Sequence, residues 1–77
     1  MLTGRLGYNH HNGRYGILVT DLREMDGFHC GETLEVWDWE KEEWIPTRME
    51  MTWEKEWYLV DTPYRGSDLE GLKVRVR

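Results

Sequence analysis

The stretch Thr33-Leu34-Glu35-Val36-Trp37-Asp38-Trp39-Glu40-Lys41-Glu42-Glu43-Trp44-Ile45-Pro46-Thr47-Arg48-Met49-Glu50-Met51 decides the fold. Its apolar residues return at every second position, the period of a strand. Thr33 to Trp37 puts Leu34 and Val36 on one face and Glu35 and Trp37 on the other. Glu43 to Met51 repeats the pattern, with Ile45, Thr47, Met49 and Met51 opposite Trp44, Pro46, Arg48 and Glu50. The polar run Asp38 to Glu42 between them is a turn. If Val36 and Ile45 pair in the core, Trp37 and Trp44 pair on the outer face. Pro46 has no N–H for a ladder, so its strand runs at an edge there or carries a bulge.

The same period extends in both directions. Downstream, Trp53 to Glu56 is a turn and Glu56 to Asp61 a strand. Thr62 to Gly71 is a loop, in which Ser67 to Glu70 forms a single helical or 3₁₀ turn capped by Ser67 and ended by Gly71. Leu72 to Arg77 is a last strand that alternates apolar and basic residues. Upstream, Leu2, Gly4, Leu6 and Tyr8 share one face of a first strand. Asn12-Gly13 is the sequence of a two-residue type I′ turn. That turn pairs His11 with Arg14, His10 with Tyr15, Tyr8 with Ile17 and Leu6 with Val19, and gives a second strand from about Arg14 to Thr20. Asp21-Leu22-Arg23-Glu24 has the form of a short capping box inside a long loop, Asp21 to Gly31. The sum is an all-β domain over residues 1–77, a small barrel of five or six short antiparallel strands with one or two single helical turns. Closure is favoured because it removes edges that a small sheet cannot cover.

Composition sets bounds on function. The chain has 77 residues, 10 of them aromatic, and a net charge of −5. A domain this small has a modest core, so aromatic packing is expected to carry it. The charge is uneven: residues 32–61 hold ten acids and three bases, net −7, while residues 62–77 hold two acids and four bases, net +2. The acidic middle repels a phosphate backbone. The basic end is expected to pair with acidic strands in the same sheet. The longest apolar run, Gly16 to Val19, is far too short to cross a membrane. Met1 to Arg5 has no apolar leader core, and Cys30 has no second cysteine to bridge, so a cytoplasmic location is expected.

Residues with catalytic or metal-binding chemistry are few. His10, His11, His29 and Cys30 are the borderline ligands, but both pairs are sequence neighbours and do not have the spacing that wraps one metal. Cys30 beside His29 lacks an oxyanion signature, and the thiol is expected to be a small core group. The acids of residues 32–61 read as a solvated strand face. Gly4-x-x-Gly7 lacks the lysine and the helix of a phosphate loop. No metal, no cofactor and no catalytic activity are therefore expected.

Several segments resemble an uncharacterised family of short bacterial proteins found mainly in Firmicutes. They are Arg14-Tyr15-Gly16, Asp26-Gly27-Phe28-His29-Cys30-Gly31-Glu32, Trp44-Ile45-Pro46-Thr47-Arg48-Met49-Glu50-Met51, Trp57-Tyr58-Leu59-Val60 and Asp68-Leu69-Glu70-Gly71-Leu72-Lys73-Val74-Arg75. The family carries no assigned activity, so the resemblance transfers no site residues. Gly31-Glu32-Thr33-Leu34-Glu35-Val36 is also similar to the segment that opens the second sheet of SH3-like barrels, and Trp44 then falls near the groove tryptophan of SH3 domains. This second resemblance implies an SH3-like barrel. The segments that build proline-recognition pockets in SH3 domains, Ala-Leu-Tyr-Asp-Tyr and Pro-x-x-Tyr, are not present.

The remaining signal is tryptophan out of phase with the core. Trp37, Trp39 and Trp44, with Arg48 on the same face, are the candidate partner-binding residues, because clustered outer aromatics mark binding hot spots. The expected role is a non-catalytic protein-interaction module; the same patch also fits a contact between two copies of the chain. A competing reading has the loop Asp21 to Gly31 folded over the rings as a second small core. The alternative function is nucleic-acid association through Lys73, Arg75, Arg77, Arg65 and Tyr64, disfavoured by the net charge. A variant of the first has the acids imitate phosphates.

Overall fold

The computed structural model describes residues 1–19, 22–23 and 27–77. Among them the chain forms strands β1 (Leu2–Asn9), β2 (Arg14–Val19), β3 (Leu22–Arg23), β4 (Thr33–Asp38), β5 (Glu43–Met51), β6 (Trp57–Leu59) and β7 (Lys73–Val76), with one 3₁₀ turn, Gly66–Leu69. The fold is all-β. The strands form one antiparallel sheet in the order β3-β2-β1-β7-β4-β5-β6, so it is open between β3 and β6.

Two long strands bend this sheet by changing partners. β1 pairs with β7 through Leu2 to Arg5 and with β2 through Arg5 to Asn9. β5 pairs with β4 through Glu43 to Arg48 and with β6 through Met49 to Met51. Gly4 sits at the first handover. A Cβ there would run into the Leu18 carbonyl oxygen and come within 2.7 Å of the Ile17 side chain, so glycine allows β2 to cross close over β1. Pro46 lies in the half of β5 that pairs only with β4, in keeping with the edge position, one of the two the sequence allows.

The bend brings the ends of the sheet together. The Trp57 indole N–H donates to the Gly13 carbonyl at 2.7 Å, and the Tyr15 hydroxyl donates to the Gly66 carbonyl at 3.1 Å. Burial raises the Tyr15 pKa, and the nearby Glu70 carboxylate raises it further, so the hydroxyl keeps the proton that makes this bond. The segment Gly27 to Glu32 fills the remaining opening. Phe28 N–H donates to Tyr15 of β2, and Gly31 and Glu32 exchange backbone bonds with Met49 of β5. One core results, from Leu6, Tyr15, Ile17, Phe28, Leu34, Val36, Met49, Trp57, Leu59, Leu69 and Val74. Each buried aliphatic side chain contributes about 1.5–3 kcal/mol.

Several expectations need correction. The first hairpin closes at Asn9↔Arg14, with Tyr8 opposite Tyr15 and Leu6 opposite Ile17. The turn is therefore four residues long, not two. The Asn9 carbonyl accepts from Gly13 at 2.8 Å and Asn12 at 3.3 Å, and the Asn9 and Asn12 side chains accept from His11 and Arg14. Side-chain turns at two asparagines outcompete the type I′ geometry, and only Gly13 takes a positive φ, 71°. The partner of Leu6 moves by two residues, so each side chain keeps its face and the core survives the change. Ser67 does not cap the 3₁₀ turn, whose N-cap is Arg65 without a side-chain bond. Leu22 and Arg23, expected in a helical turn, pair with β2 instead; Asp21, Glu24 and the expected strand end Thr20 lie outside the described residues. Cys30, expected to be buried, is exposed, because Phe28 is the residue of this segment that enters the core.

Candidate functional site

β4 and β5 adopt the register read from the alternation, with Val36 opposite Ile45 and Trp37 opposite Trp44. Leu34 and Val36 are buried, and the indoles stand on the other skin of the sheet. The turn between the strands is fixed by Asp38. Its carboxylate accepts the N–H of Glu40 at 2.9 Å and of Lys41 at 3.2 Å, and Glu42 ends the turn with φ 52°. This places Trp39 beside the other two. The ring centroids of Trp37 and Trp39 lie 6.0 Å apart and those of Trp37 and Trp44 5.2 Å apart, both pairs edge-to-face.

β7 supplies cations to this cluster. β4 pairs with β7 through Glu35↔Arg75 and Val36↔Val74, so the next position of the register sets Lys73 opposite Trp37. The Lys73 ammonium lies 5.3, 5.5 and 5.8 Å from the ring centroids of Trp37, Trp39 and Trp44. The Arg75 guanidinium lies over Trp44, 4.3 Å from its centroid. Arg75 also donates to Glu35 at 2.7 Å, with Arg77 at 3.5 Å from the same carboxylate. The hydrogen bond from Arg75, helped by both positive charges, holds the Glu35 carboxyl below its ordinary pKa. Trp37 and Trp44 are half-buried under these side chains, and Trp39 remains 64% exposed. Among the described residues, Lys73 and Arg75 of β7 lie over the rings, and Phe28 packs into the central core; Asp21 and Glu24 to Asp26 of the loop expected to cover them lie outside the described residues.

One polar group in the cluster is left over. The Trp37 indole nitrogen is buried and has no hydrogen-bond partner among the described residues. An orphaned buried donor costs about 1–3 kcal/mol.

On another side, Trp37 and Trp39 wall a groove of about 420 Å³, completed by Val36, Ile45, Pro63 and Tyr64. Asp38, Glu40, Lys41 and Asp61 supply its charges. Arg48 does not reach the cluster: it lies four residues along β5 from Trp44 and pairs with Glu50 at 3.0 Å. Sequence reasoning missed Lys73 and Arg75 as partners of the indoles. Their phase in β7 was readable, but nothing local says that β7 lies beside β4. It named Tyr64 only for nucleic-acid stacking, not for this groove, and it missed Asp61, which reaches the groove from a distant loop, and Trp53, which is fully exposed on the β5–β6 turn.

Other candidate chemistry stays dispersed. His10, His11, His29 and Cys30 are exposed, and among the described residues no group of three or more His, Cys, Asp and Glu is placed to hold a metal ion. Arg65 pairs with Glu56 at 2.7 Å, so this arginine and Arg75 are each tied to a carboxylate of the same chain. Among the described residues no helix is long and apolar enough to cross a membrane.

Comparison with known proteins fits this architecture. Residues 4–76 match the model of the DUF5348 family, a domain of unknown function. The chain belongs to the DUF5348 family. It is similar to the crystal structure of a protein from Ruminococcus gnavus, a target of the Northeast Structural Genomics Consortium. The two share 38% identity with a TM-score of 0.78, over 97% of this chain and 100% of the other. No curated protein matches. The DUF5348 family is a domain of unknown function, so the function of this chain is argued from the site.

Proposed function

We propose that this DUF5348 domain is a non-catalytic interaction module that docks a protein partner on the face bearing Trp37, Trp39 and Trp44. The observation that carries the reading is Trp39. A large ring, 64% exposed, is presented on a turn pinned by Asp38 and backed by Trp37, which in turn packs on Trp44. Lys73 and Arg75 brace those indoles, so little order remains to be imposed when a partner binds. Exposed aromatics on a rigid platform are the usual anchors of protein interfaces. Arg48, farther along β5, is a peripheral contact in this reading. The SH3-like likeness belongs here too, supported by the β4-β5-β6 meander and the 3₁₀ turn that precedes the last strand. A cytoplasmic setting suits a domain with one exposed, unbridged cysteine.

The test compares two exposed tryptophans. Tagged wild type, Trp39→Ala and Trp53→Ala are used to capture proteins from the cell that encodes the chain. A partner retained by wild type and Trp53→Ala, and lost by at least about tenfold with Trp39→Ala, supports the reading. Equal capture by all three proteins contradicts it. A captured second copy of the chain would make the partner a homodimer mate.

A further inference from the structure

We infer that the segment received beside Trp39 is basic: an extended stretch of a partner protein that places a lysine or arginine in the groove between Trp39 and Tyr64. The inference rests on the docking reading above and adds the chemistry of what docks. The groove has aromatic walls, and indole faces attract cations. Its charged lining is three carboxylates, Asp38, Glu40 and Asp61, against one lysine, Lys41, a local balance of −2. Among the described residues none of these carboxylates forms an ion pair, whereas Glu35, Glu50 and Glu56 all do. Asp38 is held in place by the two backbone N–H groups of the turn, so its charge has a fixed position. Lys73 and Arg75 do not line the groove; the Lys73 ammonium lies 5.5 Å from the Trp39 ring centroid, so the partner's cation has to meet that ring from the groove side. At about 420 Å³ the space falls in the range of ligand sites, about 300–1,000 Å³. An acidic or phosphate-bearing partner would meet repulsion there, and a purely apolar segment would leave three carboxylates to be desolvated against the single charge of Lys41.

The probe is a capped peptide of alternating glycine and arginine, with a glycine–glutamate peptide as its counterpart, titrated into the whole domain and followed by the indole N–H signals in NMR. The arginine peptide is expected to shift the Trp39 signal and to leave that of Trp53 in place; the glutamate peptide should shift neither. Glu40→Gln with Asp61→Asn should weaken binding at least about fivefold, and Glu54→Gln with Asp68→Asn, which removes the same charge elsewhere, by less than about twofold. Glu40 and Asp61 are exposed, and asparagine tolerates the positive φ of 61° at position 61, so the fold should survive. Equal weakening by both pairs, or no shift at Trp39, overturns the inference. A captured partner that needs Trp39 but ignores the Glu40/Asp61 pair would leave the docking reading standing and remove only the basic segment.

Discussion

Trp57 and Trp37 are tryptophans of the same small sheet on opposite skins, and their indole N–H groups fare differently. Trp57 sits in the core and donates to Gly13 at 2.7 Å, tying the first hairpin to β6. Trp37 stands in the outer cluster with its nitrogen buried and, among the described residues, unpartnered. Among the described residues no buried side-chain polar atom of the inner skin lacks a partner, and its bonds hold the sheet in its bend. The outer skin tolerates an orphan donor, a stack of cations on rings and a largely exposed Trp39. On the docking reading proposed above, such local cost is expected of the outer face and out of place in a packing layer.

The strongest way to break this contrast is to empty the inner skin. Leu59→Ala should cost about 2–5 kcal/mol in denaturant unfolding, since the side chain is fully buried where β6 meets the core. A loss below about 1 kcal/mol would mean that the inner skin does not carry the fold. The matched pair Trp57→Phe and Trp37→Phe sharpens the contrast. Both lose ring area, but only the first loses a bond, so Trp57→Phe should be more destabilising by about 1–3 kcal/mol. Equal costs would erase the distinction. Lys73→Met keeps the apolar stem and removes the charge above three rings; a loss of about 0.5–2 kcal/mol is expected, with a change in tryptophan emission.

The smallest effect concerns pH. Glu35 has a lower pKa folded than unfolded, so the folded state binds fewer protons at this site. Its contribution is present above the ordinary glutamate range and is lost as pH falls through the lowered folded value. Glu35→Gln should therefore make the acid-side fall of Tm shallower, with little change in shape above neutral pH. An unchanged acid limb would show that the Arg75 bond does not contribute in solution.

How much of this was legible in the chain follows from the range of each interaction. The Val36↔Ile45 and Trp37↔Trp44 register could be read because alternation and a short polar turn are local. β5 falls on its expected bounds, Glu43–Met51, for the same reason. The first hairpin was misread by two residues because Asn9 and Asn12 compete with Asn12-Gly13 for the turn, and side-chain hydrogen bonds do not show in hydropathy. Lys73 over the indoles was not legible, since it depends on β7 lying between β1 and β4, a long-range choice. The expectation that aromatics carry the core holds for Tyr15, Phe28 and Trp57 only; the rest of the core is aliphatic apart from Met49.

The most direct check is a pair of readings on Trp39→Ala: its free energy of unfolding, and its affinity for whatever partner the native domain retains. The account predicts a stability loss of no more than about 1.5 kcal/mol, the scale of one aromatic pair, and affinity reduced by tenfold or more. A variant that binds like wild type, or that loses several kcal/mol of stability, would show that the outer indoles exist to hold the sheet together.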